Sequence, residues 1–460
     1  MHGKEMTCSE GLATKQTING SEKPFRVAII GGGVGGATSA YCLRLMFGPN
    51  VGITLFEQSG RIGGRVQSAY FGDRLVEAGA SIFLRENKYM SSFAVKFGLE
   101  IVNHPLPHFT FYDGVKNFTF TALNHNYYSN NGRFKFHFGL QMLRYLGGYF
   151  VKTTGMDFEE MLVRRTAVPD IVKEEWCHGL ISNNYCQDLS ARGSVGLISL
   201  ITVAGTPCSV KEGNDKIPQK LVEAALADNP EGNPKDFIAA QVRRILPEPD
   251  NRYRLEYSPN SSDETISDTF DYIVIAAPLH QESVLKASGN IKLPTETFLR
   301  MERTIMEGTL KESAFGVKPE FLQPDAIPII LPTKTGYSQN NCAFHSLIGM
   351  PTTSGHNFLW SVFTEPTRVE DPIGTLRDKY IDVAEPISPM KFTWLAYPVY
   401  KPLADPETEL GSFVLAPRLY YVNAIERFAS CMELSAIAGR NVALLIGKDR
   451  HWTPPRLRYF

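Results

Sequence analysis

Ten residues near the start of the chain constrain the rest: Val27-Ala28-Ile29-Ile30-Gly31-Gly32-Gly33-Val34-Gly35-Gly36. The β-branched, apolar run reads as a buried strand. Gly31, Gly33 and Gly36 follow at the spacing Gly-x-Gly-x-x-Gly, and Ala37 to Met46 then reads as a helix. Strand, glycine turn and helix in that order build a cradle for a dinucleotide. Gly31 permits the sharp exit from the strand. Gly33 lets the backbone approach a pyrophosphate that a Cβ would strike. Gly36 lets the helix pack on the strand. The helix start, Val34 and Gly35 included, offers unpaired N–H groups and a positive dipole end to phosphate.

Glycine-rich turns also occur without a ligand, so the residues beyond the turn decide. Ile53-Thr54-Leu55-Phe56-Glu57 reads as a second strand ending in an acid, followed by Gln58. Glu57 falls about 20 residues past the turn, where a carboxylate grips ribose hydroxyls. The competing reading is a solvated strand-end acid. Gly60-Arg61-Ile62-Gly63-Gly64-Arg65 comes next. Its Arg-x-Gly-Gly-Arg core resembles the second fingerprint of FAD-dependent amine-oxidase-like flavoproteins. That resemblance implies FAD, held extended along the domain. The residue chemistry agrees: Gly63 and Gly64 let backbone approach a cofactor, and Arg61 and Arg65 can neutralise diphosphate charge. For either arginine alone, a surface salt bridge is the alternative.

At 460 residues the chain can hold two domains with substantial cores. A net charge of −1 gives no electrostatic footprint for nucleic acid. No apolar run is long enough for a transmembrane helix. Residues 1–25 are polar and read as a disordered leader, not a signal peptide. Seven scattered cysteines form no CxxC or zinc spacing, which points to reduced thiols and a cytoplasmic setting. No metal site is expected. Three glycosylation sequons, at Asn19, Asn117 and Asn260, read as chance matches.

The expected fold class is α/β: a Rossmann-like, doubly wound FAD-binding domain with an interleaved α+β substrate domain. Residues 26–85, 206–290 and 411–452 make the first, and residues 86–205 and 291–410 the second. Glu77-Ala78-Gly79-Ala80-Ser81-Ile82 closes the first cofactor segment. Phe109-Thr110-Phe111 and Phe118-Thr119-Phe120 alternate as strands do, and Phe138 to Phe150 reads as an amphipathic helix. Three uses remain open for that aromatic region: ordinary core, a wall of a greasy pocket, or a membrane-surface helix that collects a lipid-like substrate. Lys216 to Leu226 reads as a helix and Gln241 to Ile245 as a strand. Asp250 to Thr269 suits an exposed β meander, and Asp271 to Pro278 a buried parallel strand. Arg418 to Asn423 is the last strand and Phe428 to Leu445 the last long helix.

A narrower resemblance rests on the C-terminal block. Trp394-Leu395-Ala396-Tyr397-Pro398-x-Tyr400-Lys401-Pro402 precedes Arg418-Leu419-Tyr420-Tyr421-x-Asn423-x-Ile425-Glu426 and Met432-Glu433-x-Ser435-Ala436-Ile437-Ala438. With Asn184-Tyr185-x-Gln187, Glu212-Gly213-Asn214 and Glu77-Ala78-Gly79-x-Ser81, this resembles the prenylcysteine oxidases, also called prenylcysteine lyases. The likeness runs from about residue 24 to about 452. It implies an FAD enzyme that takes a hydride from the allylic carbon beside a thioether sulfur. Water then adds, a prenyl aldehyde and cysteine separate, and dioxygen becomes hydrogen peroxide. No second Gly-x-Gly-x-x-Gly for a nicotinamide is present, in keeping with dioxygen as acceptor.

Two departures from the family bear on the substrate. This chain shows no secretion signal, and Ala80 stands where the family has the second glycine of Glu-Ala-Gly-Gly-Ser. A prenylated phenol or meroterpenoid, oxidised to a quinone methide and cyclised, is therefore the alternative substrate. A non-enzymatic binding protein on the same fold is the competing class, and a colourless purified protein would favour it.

The expected cofactor contacts are Gly31, Gly33, Val34, Gly35, Gly36, Glu57, Gln58, Arg61, Gly64, Arg65, Ala80, Ser81, Val242, Met432 and Glu433. By the resemblance, the Ala80–Ser81 turn runs beside the flavin and Val242 meets its adenine end through backbone. The last helix, starting near Met432 and Glu433, aims N–H groups at the flavin pyrimidine. Phe111, Tyr185, Tyr397 and Tyr400 are the expected pocket walls. No catalytic side chain is assigned beyond the flavin. The partners expected are a prenylated small molecule and dioxygen, with membrane-surface contact, oligomeric state and covalent flavin attachment left open.

Overall fold

A computed structural model describes residues 24–453, apart from 106–107, 116–117, 120–149, 166–167, 169, 203–204, 231–235, 263, 317–326, 340–341, 353–356 and 385–387. Residues 1–23 of the expected leader, Phe120 and the helix expected from Phe138 therefore lie outside the described residues, save Phe150, which opens a short helix to Thr153, while Phe25, expected in the leader, is the buried first residue of a strand.

The first strand, Phe25–Ile30, lies parallel between Val51–Glu57 and Tyr272–Ile275. Phe237–Pro247 and Leu419–Tyr421 extend this parallel core on its two sides. Every residue of Val51–Glu57 and of Tyr272–Ile275 is buried, which is why both segments read as unbroken apolar runs. One face of the sheet is covered by the helices Val34–Phe47, Lys216–Leu226 and Met432–Asp449, through Ala37, Leu43, Leu221, Val442 and Ile446. Antiparallel strands cover the other. Tyr253–Pro259 and Ile266–Phe270 continue from Phe237–Pro247. The meander is thus only half exposed. Tyr253, Leu255 and Tyr257 alternate inward, and the Tyr257 ring sits 4.8 Å from that of Phe56.

A second, largely antiparallel sheet is built on Phe298–Leu310. Phe358–Thr364 pairs along one side of it, and Met390–Pro398 and Ile381–Val383 along the other. Ser346–Pro351, Pro328–Pro332, His108–Tyr112 and Phe118–Thr119 follow outward. The helices Phe158–Arg165, His178–Tyr185 and Gly193–Ile201 contribute to the core beside this sheet.

Two boundaries differ from the sequence expectation. Lys88–Lys96, expected in the inserted block, is a helix whose Met90, Phe93 and Ala94 join the first core. The last helix starts at Met432, not Phe428, because Cys431 is extended (φ −159°) and caps it, while Val422–Arg427 forms a 3-10 turn. No helix among the described residues is long and apolar enough to cross a membrane.

Candidate active site

A cavity of about 1040 Å³ runs along the seam between the two sheets, from the glycine turn to Tyr185, Tyr397 and Met432. Its floor is the cradle. Gly31 has φ +111°, and a Cβ there would lie 2.8 Å from the Ala276 carbonyl. A Cβ on Gly36 would overlap the Gly31 carbonyl oxygen, so this glycine serves helix packing and does not line the cavity. Gly33 is different. A Cβ there meets no atom closer than 3.9 Å, because it would project into the cavity. The helix that starts after Gly33 has no side-chain cap, so its first N–H groups are left for a ligand.

Glu57, 8% exposed, reaches back to this turn. Its Oε2 accepts from the Gly32 N–H at 2.8 Å, and its Oε1 from the Ser59 N–H and Oγ at 2.8 and 2.7 Å. A carboxylate has about four acceptor sites, so capacity for a ribose hydroxyl remains. Gln58, Gly64 and Val242 line the same stretch. Val242 sits at a bulge in its strand.

Both arginines line the cavity, and both are also engaged by the protein. Arg61 braces its own loop, donating to the carbonyls of Val66 at 3.1 Å and Gly64 at 2.6 Å. Arg65 lines the cavity, but its guanidinium forks onto Glu426 and donates to the Ala396 carbonyl at 2.9 Å. Burial opposes its charge, and the Glu426 carboxylate outweighs that and holds its pKa above the ordinary value. Its engaged guanidinium therefore joins the sheets, where a diphosphate contact was expected. Glu433 is also corrected. It faces away from the cavity and accepts from the N–H groups of Tyr89 and Met90, both at 3.0 Å, capping the Lys88–Lys96 helix. Met432 does line the cavity, with Cys431 and Ser435.

The Gly79–Ser81 turn is held from beneath. A Cβ on Gly79 would overlap the Arg65 carbonyl, and the Ala80 N–H donates to that carbonyl at 3.0 Å. Asn214, fully buried, donates to the carbonyls of Ala80 and Ser81 at 3.2 and 2.8 Å. Its own N–H donates to Glu77 at 2.8 Å. Glu77 lines the cavity, and burial pushes its carboxyl up to about 7.

Of the expected walls, Tyr185 and Tyr397 line the cavity with ring centroids 5.1 Å apart. Tyr400 stands behind them, edge-on to Tyr185 at 5.6 Å, and Phe111 packs against Trp176 at 5.1 Å; neither reaches the cavity. Ile198, Ile329, Ile348, Met350, Phe363 and Trp394 supply the apolar wall instead. Burial raises the phenols of Tyr185 and Tyr397 far above their ordinary range, so they stay protonated. Sequence reasoning missed Arg303, which lines the cavity at 3% exposure. The available signal was Glu302-Arg303-Thr304, polar residues inside an otherwise strand-like run.

The shape and donors fit FAD: a Cβ-free cradle, an acid for ribose, and an uncapped helix start at Val34. Comparison with known proteins agrees. A family profile described as prenylcysteine lyase matches residues 115–454, and one for an NAD(P)-binding Rossmann-like domain matches residues 29–97. Prenylcysteine oxidase 1 of Homo sapiens is 28% identical over 472 residues, covering 92% of this chain and 88% of that protein. The mouse protein is 26% identical over 477 residues, covering 95% and 91%. Among solved structures, wild-type putrescine oxidase bound to putrescine has a TM-score of 0.63 at 12% identity, covering 92% of this chain and 99% of that one. Cyclohexylamine oxidase from Brevibacterium oxydans IH-35A has a TM-score of 0.61 at 14% identity, covering 93% and 100%. These two likenesses establish the fold. The chain is an oxidoreductase whose cofactor is FAD. Since the lyase profile spans well over half of it, the chain belongs to the prenylcysteine lyase family.

Proposed function

We propose that this flavin-dependent oxidase cleaves the thioether of an S-prenylcysteine. One observation carries the reading: the cofactor cradle and an apolar wall of Ile329, Ile348, Met350, Phe363 and Trp394 share a single cavity. An isoprenoid tail supplies mostly apolar area, worth roughly 25 cal/mol per Å² buried. FAD, when bound, accepts the hydride from the allylic carbon and passes both electrons to dioxygen. The balance is thioether, water and dioxygen to prenyl aldehyde, cysteine and hydrogen peroxide.

The chain's residues position the partners. Tyr185 and Tyr397 keep their protons, so they orient the substrate and do not act as bases. The Gly79–Ser81 turn, fixed by Asn214, sets how near the substrate comes to the flavin. Hydride departure of this kind needs alignment more than a strong base. The test is anaerobic mixing of the FAD-loaded protein with farnesylcysteine. Flavin bleaching with release of farnesal and cysteine is expected. Bleaching by a farnesylated phenol, and not by farnesylcysteine, would replace this reading with the oxidative cyclase. Bleaching by neither would end the prenyl reading.

A further inference from the structure

We propose that Arg303 is a specificity-determining residue that anchors a carboxylate of the substrate where Phe363 walls the cavity. The inference rests on the prenylated-substrate reading and sharpens it. The substrate would be a free acid, not an ester or amide.

Arg303 lies inside the Phe298–Leu310 strand, opposite Phe363 on one neighbouring strand and Phe392 on the other. A guanidinium carries five N–H donors. Nε donates to Ser361 Oγ at 2.6 Å, and Nη1 to the Gly79 carbonyl at 3.0 Å and Ser81 Oγ at 3.2 Å. All three partners are neutral. Nη2 has no partner among the described residues, and no acid there forms an ion pair with the group. The Phe363 ring lies 5.0 Å from the guanidinium carbon.

A buried cation without a counter-ion is unfavourable, and an anion brought by a ligand relieves it. Glu77 is the acid that acts on Arg303 from within the protein. Burial holds the Glu77 carboxyl near 7, so at neutral pH it supplies only part of a charge. FAD phosphates have other partners in the cradle at Gly33 and the helix start beyond it. Ile329, Ile348, Met350 and Phe363 line the same cavity, and its polar residues Ser81 and Ser361 are already bonded to Arg303. A long apolar tail with one acidic group matches that pattern.

The experiment measures binding of decanoate and of decan-1-ol to the FAD-loaded protein by calorimetry. Wild type is expected to hold decanoate about 10- to 100-fold tighter, the range that a charge-assisted hydrogen bond supplies. Arg303→Met should erase that preference, and Arg303→Lys should keep part of it. Equal affinity for the two ligands in wild type would overturn the proposal. So would a preference that survives in Arg303→Met, or a loss of flavin in that variant with the ligand preference intact. If Arg303→Met does not fold, the wild-type pair and Arg303→Lys still decide. Because decanoate carries no prenyl group, this outcome is independent of flavin bleaching by farnesylcysteine, whose failure would remove the prenyl reading alone.

Discussion

Gly33 and Gly36 sit three residues apart, yet a side chain would do different harm at each. At Gly33 the backbone is extended (φ −74°), so any residue fits it. A Cβ there enters the cavity and touches no protein atom closely. Gly33→Val should therefore fold, with stability within about 0.5 kcal/mol of wild type, and purify without flavin. The ratio of flavin to protein absorbance, read beside a thermal melt, checks both halves. A yellow Gly33→Val protein would show that the cradle is misassigned. A Cβ on Gly36 would instead collide with the Gly31 carbonyl, so its loss would register as unfolding. These roles were legible in the sequence because local spacing alone dictates them. The role of Arg65 was not. Its counter-ion, Glu426, is 361 residues away along the chain, and no local pattern announces such a pair.

Elements bring residues together in ways that their own periodicity does not show. Glu433 begins one helix and caps another: its carboxylate satisfies two N–H groups at the start of Lys88–Lys96. Glu433→Ala should cost about 1–2 kcal/mol, the worth of a cap with its dipole term. Denaturant midpoints measure the loss. Flavin content should not change, which separates this capping role from the cofactor contact expected of the residue. The parallel strands were legible because burial on both faces leaves continuous β-branched runs. The pocket walls were less so. Phe111 and Tyr400 are as aromatic as Tyr185 and Tyr397, and only the way the second sheet and its helices meet decides which rings reach the cavity. Asn214 shows the same limit. In the sequence it is one polar residue in a loop, and in the fold its side-chain amide fixes the turn beside the cavity by two hydrogen bonds while its backbone N–H holds Glu77.

Across the whole molecule, the seam between the sheets is both the cavity and the place where they are fastened. Arg65 from the second glycine-rich loop, Glu426 from the turn before the last helix and the Ala396 carbonyl of the second sheet meet there. Glu426 is 3% exposed. Removing one partner of a buried pair costs about 3–5 kcal/mol, whereas removing both costs less. Glu426→Ala should thus destabilise more than the Arg65→Met, Glu426→Ala double variant does. A double-mutant cycle on unfolding free energies reads the coupling. Additive single losses would show that the pair does not fasten the seam.

The helix Met432–Asp449 also lies along the cradle helix so tightly that a Cβ on Gly439 would overlap the Gly35 carbonyl, and Ser39 Oγ donates to the Gly439 carbonyl at 3.1 Å. During synthesis the cradle emerges early, and this supporting helix emerges nearly 400 residues later. A growing chain that has not yet made residues 419–449 lacks the outer neighbour of the Tyr272–Ile275 strand and the backing of the cradle helix. The cradle therefore gains its full backing only once residues 419–449 have been made.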